Sequence, residues 1–288
     1  MAARRTSRRV GGTSPVTGFA YLDARHDEGS GILAFAHRGG ATHPDVVGLE
    51  NTLHAFAHAR GLGYGYLETD VHVTSDGVLL AFHDAILDRV TDRTGSVAST
   101  TYAEVQAALI GGREQVPTFE ELVDAFPDAR FNIDIKAAGA VALLAAFIEA
   151  RGLQDRVLVG SFSRRRLQEF RRLTRGRVPT SAAPLEVAAF LLLPSGRLAD
   201  RVTGRQVSAL QVPHRRGRLV VASRGLVRRA HAAGKHVHVW TVDEPDEMHA
   251  LIDRGVDGLM TDRTDILKAV LTERGQWRGP QQMGDSDE

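Results

Sequence analysis

The stretch Tyr66-Leu67-Glu68-Thr69-Asp70-Val71-His72-Val73-Thr74-Ser75-Asp76-Gly77-Val78-Leu79-Leu80-Ala81-Phe82-His83-Asp84 decides the fold. Its two apolar-rich runs, 65–73 and 78–83, are separated only by Thr74-Ser75-Asp76-Gly77. A parallel crossover needs a dozen or more residues, so this connection is too short for one. The two runs are therefore expected to form an antiparallel hairpin. A turn centred between Ser75 and Asp76 sets His83 opposite Glu68, and leaves Asp76 as a turn residue rather than a catalyst.

Working outward, strand patterns fall at 32–37, 65–71, 78–83, 130–135, 156–161, 178–181, 208–212, 236–241 and 257–260. Helical patterns fill 52–62, 118–125, 138–151, 163–174, 184–192, 223–233, 245–253 and 263–273, with Asn51 as the expected N-cap of the first. Nine strands are one more than an eight-fold repeat allows, and the hairpin arm at 78–83 is the surplus. The remaining alternation is that of an α/β protein, a (β/α)8 TIM barrel. No G-x-G-x-x-G turn follows the first strand, which argues against an open dinucleotide-binding sheet. Residues 84–116 lack a strong period and read as a small insertion above the C-terminal face of the barrel, with 194–206 as a second, smaller one.

The 288 residues fit one large barrel domain over 29–274. Residues 1–28 read as a flexible arm and 275–288 as a disordered polar tail. Arg4, Arg5, Arg8 and Arg9 are followed by Gly11-Gly12-Thr13-Ser14-Pro15 rather than the apolar core of an export signal. No run approaches the roughly 20 apolar residues that span a bilayer, and a cytoplasmic location is expected. With no cysteine, disulfides, thiolate metal sites and a cysteine nucleophile are excluded. The 36 basic and 35 acidic residues balance, giving no support for a nucleic-acid partner. The basic runs Arg164-Arg165-Arg166 and Arg171-Arg172 read as solvated surface.

Chemistry concentrates at strand ends. His37-Arg38-Gly39-Gly40 closes the run Ile32-Leu33-Ala34-Phe35, and His83 closes Val78-Leu79-Leu80. Two imidazoles supply an acid and a base near neutrality. Arg38 offers a planar fork for phosphate oxygens, and Gly39 and Gly40 let the backbone approach a ligand. Glu68 and Asp70 share one face of a strand, as period two requires. Such acids are either metal ligands or members of salt bridges. Asp134, inward-facing on another strand, adds a third oxygen donor; an all-oxygen set calls for Mg2+ or Ca2+. Lys136 shares that face and either neutralises phosphate or pairs with Asp134 or Glu68. Trp240 ends the inward series His236, His238, Trp240, where the histidines suit packing and hydrogen bonding. Together these groups suit cleavage of a phosphodiester.

The same motifs carry a resemblance. His37-Arg38-Gly39, Glu50-Asn51-Thr52, Glu68-Thr69-Asp70-Val71, Thr74-Ser75-Asp76-Gly77 and His83-Asp84 resemble the glycerophosphodiester phosphodiesterases. So do Val116-Pro117-Thr118-Phe119-Glu120-Glu121-Leu122, Phe131-Asn132-Ile133-Asp134-Ile135-Lys136, Ser161-Phe162, Val239-Trp240-Thr241-Val242 and Asp257-Gly258-Leu259-Met260-Thr261-Asp262. The matches keep the family's order over roughly residues 31–268. The resemblance implies hydrolysis of glycerophosphodiesters to sn-glycerol 3-phosphate and an alcohol. It implies His37 and His83 as the acid–base pair, and Glu68, Asp70 and Asp134 around a divalent cation. It also implies Glu50 near the metal and substrate and Trp240 against the glycerol, beside Arg38 and Lys136 as the phosphate-binding residues. At position 134 the family usually has glutamate; aspartate is shorter by roughly 1.5 Å. The rival readings are a lysophospholipase D-like enzyme with an acyl groove in 84–116, and a non-catalytic phosphodiester-binding barrel.

Overall fold

The computed structural model describes residues 14–23 and 31–277. The parallel strands, with the hairpin arm among them, are β1 (Leu33–His37), β2 (Tyr66–Val73), β3 (Leu79–Ala81) and β4 (Arg130–Ile135). They continue with β5 (Val157–Gly160), β6 (Ala209–Pro213), β7 (His236–Trp240) and β8 (Gly258–Thr261). All but β3 are parallel, in the order β5-β4-β2-β1-β8-β7-β6. Their inner and outer faces are both covered, so they read as near-continuous buried runs; β2 is buried at seven of its eight positions.

The ring closes through a reduced element. The expected strand at 178–181 makes only two parallel bridges, Val159 to Thr180 and Ser181 to Ala209. A buried side chain supplements them. Arg171 donates from Nε to Thr180 Oγ1 (2.8 Å) and from Nη2 to the Ser181 carbonyl (3.1 Å), while Nη1 reaches Glu186 Oε1 (2.7 Å). The reading of Arg171 as solvated surface is thus corrected: its neighbours Thr180 and Glu186 are buried with it. Eight helices flank the strands near the expected positions, from Leu53–Gly61 to Thr264–Glu273.

The hairpin forms, but one residue out of the expected register. Val71, His72 and Val73 face Ala81, Leu80 and Leu79. The loop is the three residues Ser75-Asp76-Gly77, with Gly77 at φ +87° and the Thr74 N–H bonded to the Val78 carbonyl. A three-residue loop ending in left-handed glycine centres the turn on Asp76. The last ladder bond joins the Phe82 N–H to the Asp70 carbonyl. His83 therefore lies past the strand and not opposite Glu68. Asp76 is a turn residue as expected, accepting from Thr74 Oγ1 at 2.6 Å and from the Tyr102 N–H. β3 occupies the edge of β2 that β1 leaves: β1 pairs with 66–68, β3 with 71–73, and β4 holds the opposite edge.

The segment 84–116 has local order despite its weak period. It holds a 3-10 turn (Val97–Ser99), a helix (Tyr102–Gln106) with a Thr101/Glu104 capping box, and a two-residue strand pair. Leu87, Val97, Val105, Ile110 and Val116 bury a small core of their own with Leu80 and Phe82. Within 194–206 stands the helix Gly196–Val202. In the segment read as an arm, Ala20–Asp23 is helical, and Tyr21 and Leu22 are buried against Leu33, Phe35 and Tyr66 under the N-terminal end of the barrel. At the other terminus Trp277, expected in the tail, packs on Tyr64 with ring centroids 5.0 Å apart. The rest of the expected arm and tail falls within residues 1–13, 24–30 and 278–288, which lie outside the described residues. Among the described residues no helix is long and apolar enough to cross a membrane.

Candidate active site

The C-terminal ends of the strands gather the charged residues. His37 is the last residue of β1, and its backbone register places it beside Glu68 of β2. Asp70 of β2 is beside Asp134 of β4. Lys136 follows β4, Trp240 ends β7, and Asp262 follows β8. Parallel strands with a common register thus bring five chain-distant segments to one mouth.

His37 is held from both sides. Its Nδ1 lies 2.7 Å from Asp262 Oδ1 and its Nε2 3.7 Å from Glu68 Oε2. Burial alone would lower its pKa, but Glu68 and the Asp262 contact raise it above the ordinary histidine value. Asp262 was quoted in the resemblance without a role; its signal is its place directly after a barrel strand. It is steered in turn by Asp243, whose Oδ1 accepts from the Asp262 N–H (2.8 Å) and Thr261 Oγ1 (2.9 Å).

The acids are buried and close. Burial first, and then Asp70, push the Glu68 carboxyl up to about 7. For Asp70 burial acts in the same upward sense, but Lys136 and Arg38 outweigh it and hold the carboxyl below its usual range. Lys136 Nζ stands 3.0 Å from Asp70 Oδ1 and 2.7 Å from Asp134 Oδ2. Arg38 spans Glu50 (3.1 Å) and Asp70 (3.3 Å). The second oxygen of Asp134, Oδ1, is buried and has no hydrogen-bond partner. A carboxylate oxygen left so, beside an acid pair that resists full ionisation, fits a missing cation. The donor set Glu68, Asp70 and Asp134 is all oxygen, the chemistry of a hard divalent ion.

Other expected residues are placed differently. Asn51 is not the N-cap. Thr52 caps the helix, accepting from the Ala55 N–H at 3.1 Å, while Asn51 takes a left-handed φ of 59°. Buried Asn51 then donates to Asp70 Oδ2 (3.3 Å) and accepts from Thr69 Oγ1 (2.8 Å). Gly39 and Gly40 give close approach to helices rather than to a ligand. A Cβ on Gly39 would stand 2.7 Å from the Ala55 Cβ, and one on Gly40 2.9 Å from Thr264 Cγ2. His83 is half-exposed, with Nδ1 2.5 Å from Asp84 Oδ1. Its carbonyl accepts from His72 Nε2 at 3.0 Å. Arg89 of the insertion, given no role from sequence, joins Asp84 (2.5 Å) to both oxygens of Glu50 (2.6 and 2.8 Å). Burial would raise the Glu50 pKa, but Arg89 and Arg38 hold it below its usual value. Trp240 meets exposed Phe162 edge-on at 5.8 Å, and Lys136 lies over the Phe162 ring. His236 and His238 are buried, as expected of packing residues.

Arg38 and Lys136 thus stand against the buried carboxylates at this mouth, and comparison with known proteins gives the family. The profile of the glycerophosphoryl diester phosphodiesterase family matches residues 37–266. The chain belongs to this family. Membership makes it a phosphoric diester hydrolase. It is 42% identical over 252 residues to "Probable glycerophosphodiester phosphodiesterase 2" of Mycobacterium tuberculosis, covering 86% of this chain and 94% of that one. A solved structure from Silicibacter pomeroyi superposes with a TM-score of 0.74 at 25% identity, covering 90% and 99% of the two chains. An Oleispira antarctica phosphodiesterase, solved in complex with sn-glycerol-3-phosphate, gives a TM-score of 0.68 at 21% identity over 84% and 97%. At that identity it shows the shared fold, the TIM barrel of the family.

Proposed function

We propose that this family member hydrolyses glycerophosphodiesters to sn-glycerol 3-phosphate and an alcohol, by general acid–base catalysis with a divalent cation. The observation that carries this reading is His37 fixed between Asp262 and Glu68, at the rim of a buried three-carboxylate set flanked by Arg38 and Lys136.

Glu68, Asp70 and Asp134 would hold the cation, Mg2+ or Ca2+. When bound, it supplies Lewis acidity towards phosphate and glycerol oxygens. The chain's own groups do the proton work. One histidine of His37 and His83 takes the proton of a glycerol hydroxyl as that oxygen attacks phosphorus. The other gives a proton to the departing alcohol oxygen. Water then opens the cyclic phosphate with the roles reversed, so each histidine must both accept and donate. Asp262 fixes the orientation of the His37 ring, leaving Nε2 for the reacting oxygen. Arg38 and Lys136 offset the charge that develops on the phosphoryl oxygens. Trp240 and Phe162 offer an apolar wall at the mouth.

The test is release of sn-glycerol 3-phosphate from a panel of glycerophosphocholine, glycerophosphoethanolamine, glycerophosphoglycerol and lysophospholipids, with each metal and after chelation. His37→Ala and His83→Ala should each lower kcat by about 10²–10⁴ in folded protein. Full turnover after exhaustive chelation would remove the cation from the mechanism. Preference for lysophospholipids would move the substrate class to lipids, and binding without product would reduce the barrel to a binding module.

A further inference from the structure

A second set of ligating side chains stands outside the catalytic mouth. The loop leaving β1 carries His43 and Asp45, and the helix Leu53–Gly61 carries His58. One ligand atom from each lies within 4.8 Å of the other two. His58 Nε2 is 3.3 Å from Asp45 Oδ2, and His43 Nδ1 is 4.0 Å from the same oxygen. In a tetrahedral zinc site with bonds of 2.0–2.1 Å, neighbouring donors stand about 3.3 Å apart. Of the three donor pairs, His58–Asp45 is already at that spacing, and the pair of imidazoles lies within 4.8 Å. The His43–Asp45 pair is wider by a small shift that the Asp45 side chain, 71% exposed, has solvent room to make.

The two rings face each other, with Asp265 and Arg263 as further charged neighbours of His43. Their centroids are 4.4 Å apart, and the second nitrogen of His58, Nδ1, is buried without a hydrogen bond. Metal binding requires imidazole in its neutral form. His43 Nδ1 now accepts the Asp45 N–H at 3.1 Å; a cation there would take the place of that bond. Backbone turns hold the loop in this shape, with the His43 N–H on the Gly40 carbonyl and the Val46 N–H on the His43 carbonyl.

The donor chemistry differs from that of the mouth. Two imidazoles and one carboxylate suit a borderline transition ion, whereas three carboxylates suit Mg2+ or Ca2+. We propose that His43, Asp45 and His58 form a separate cation site for Zn2+ or a similar borderline transition ion. Its effect is to pin the loop that carries Arg38, Glu50 and Asn51 to the helix behind it. The site touches no reacting atom, so its role is positional.

The experiment uses tag-free full-length protein, stripped by chelator and titrated with Co2+ and then Zn2+. Visible absorption, calorimetry and Tm are followed, with no activity readout needed. Asp70→Asn weakens the oxygen site and isolates the histidine site. In that background, Co2+ should give a ligand-field band, Zn2+ should displace it, equimolar Mg2+ should not, and Zn2+ should raise Tm. Adding Asp45→Asn should weaken Zn2+ at least about tenfold, and adding His43→Gln with His58→Gln should abolish the band and the Tm rise. An unchanged band in the folded triple variant overturns the proposal. Should that variant not fold, Asp45→Asn decides, since the side chain is exposed; unchanged Zn2+ affinity there overturns it as well. Absence of phosphodiesterase turnover in the unsubstituted protein, with Zn2+ binding intact, would count against the catalytic reading alone.

Discussion

Asp262 is tied to Asp243 through its backbone and to His37 through its carboxylate, which makes it, after Glu68, one of two acids that raise the His37 pKa. Asp262→Asn keeps the shape but removes a charge that raises the His37 pKa. The limb of the kcat/KM pH profile governed by His37 should therefore move to lower pH. The rate should fall at least about tenfold, as loss of a carboxylate behind a catalytic histidine does. A fall in rate with an unmoved limb would reduce Asp262 to a structural role. Asp134 offers the second test at this scale, because one of its oxygens is buried without a partner. Direct ligation predicts that Asp134→Asn is severely impaired and that Asp134→Glu shifts preference towards Ca2+, which tolerates longer bonds than Mg2+. Loss of less than about tenfold in kcat/KM for Asn, roughly 1.4 kcal/mol, would leave Glu68 and Asp70 as the ligands. Lys136 shows how sequence left alternatives open: its salt bridge to Asp134 exists, and its place beside the acids is also where phosphate charge would fall.

Between elements, the contact to watch is Arg89, which fastens the insertion to Glu50 at the mouth. Arg89→Ala leaves Glu50 to Arg38 alone and Asp84 to His83 alone, uncoupling the insertion from the mouth. KM should rise and the ranking of substrates in the panel should change, while metal affinity stays the same. An unaltered ranking would make the segment 84–116 a structural cover. The elements themselves were legible: the period-two and period-3.6 patterns placed the parallel strands and flanking helices, and hairpin logic removed the surplus strand. The one-residue shift of register was not, because it depends on whether Ser75-Asp76-Gly77 folds as an even turn or as a three-residue loop. Gly77 at positive φ decides that, and with it whether His83 falls inside the ladder. The acids at 68, 70 and 134 were legible because alternation fixes a face. Asn51 and Arg89 were not, since each acts through a loop whose path no period encodes. The order within 84–116 was missed for a related reason: five buried side chains spread over about thirty residues make a small core without a repeat.

For the molecule as a whole, the barrel interior is polar in its middle layer. Gln211 donates to Asn132 Oδ1 at 2.6 Å and to His238 Nδ1 at 3.3 Å. Burial, and then the neighbouring His236, hold the His238 pKa down to about 3. The same ring in the unfolded chain takes up a proton near 6.5. Between those values the unfolded state binds more protons, so stability is present above about 6.5 and is lost as pH falls towards 3. The slope is at most about 1.4 kcal/mol per pH unit from this group. His238→Gln should flatten the dependence of unfolding free energy on pH between 6 and 4, whatever it does to absolute stability. An identical slope in both proteins would assign acid sensitivity elsewhere.

The two-bridge closure at Thr180 and Ser181 has a consequence for how the chain breathes. A ladder of two bridges is the least protected joint in the ring, so its amides should exchange with deuterated solvent through local opening, before those of β1 or β2. Arg171 is the latch on that joint, since one guanidinium grips Thr180, Ser181 and Glu186 together. Arg171→Met would leave Glu186 buried and unpaired, a loss of roughly 3–5 kcal/mol. Faster exchange should then appear first over 178–182, the place where the cylinder would unzip.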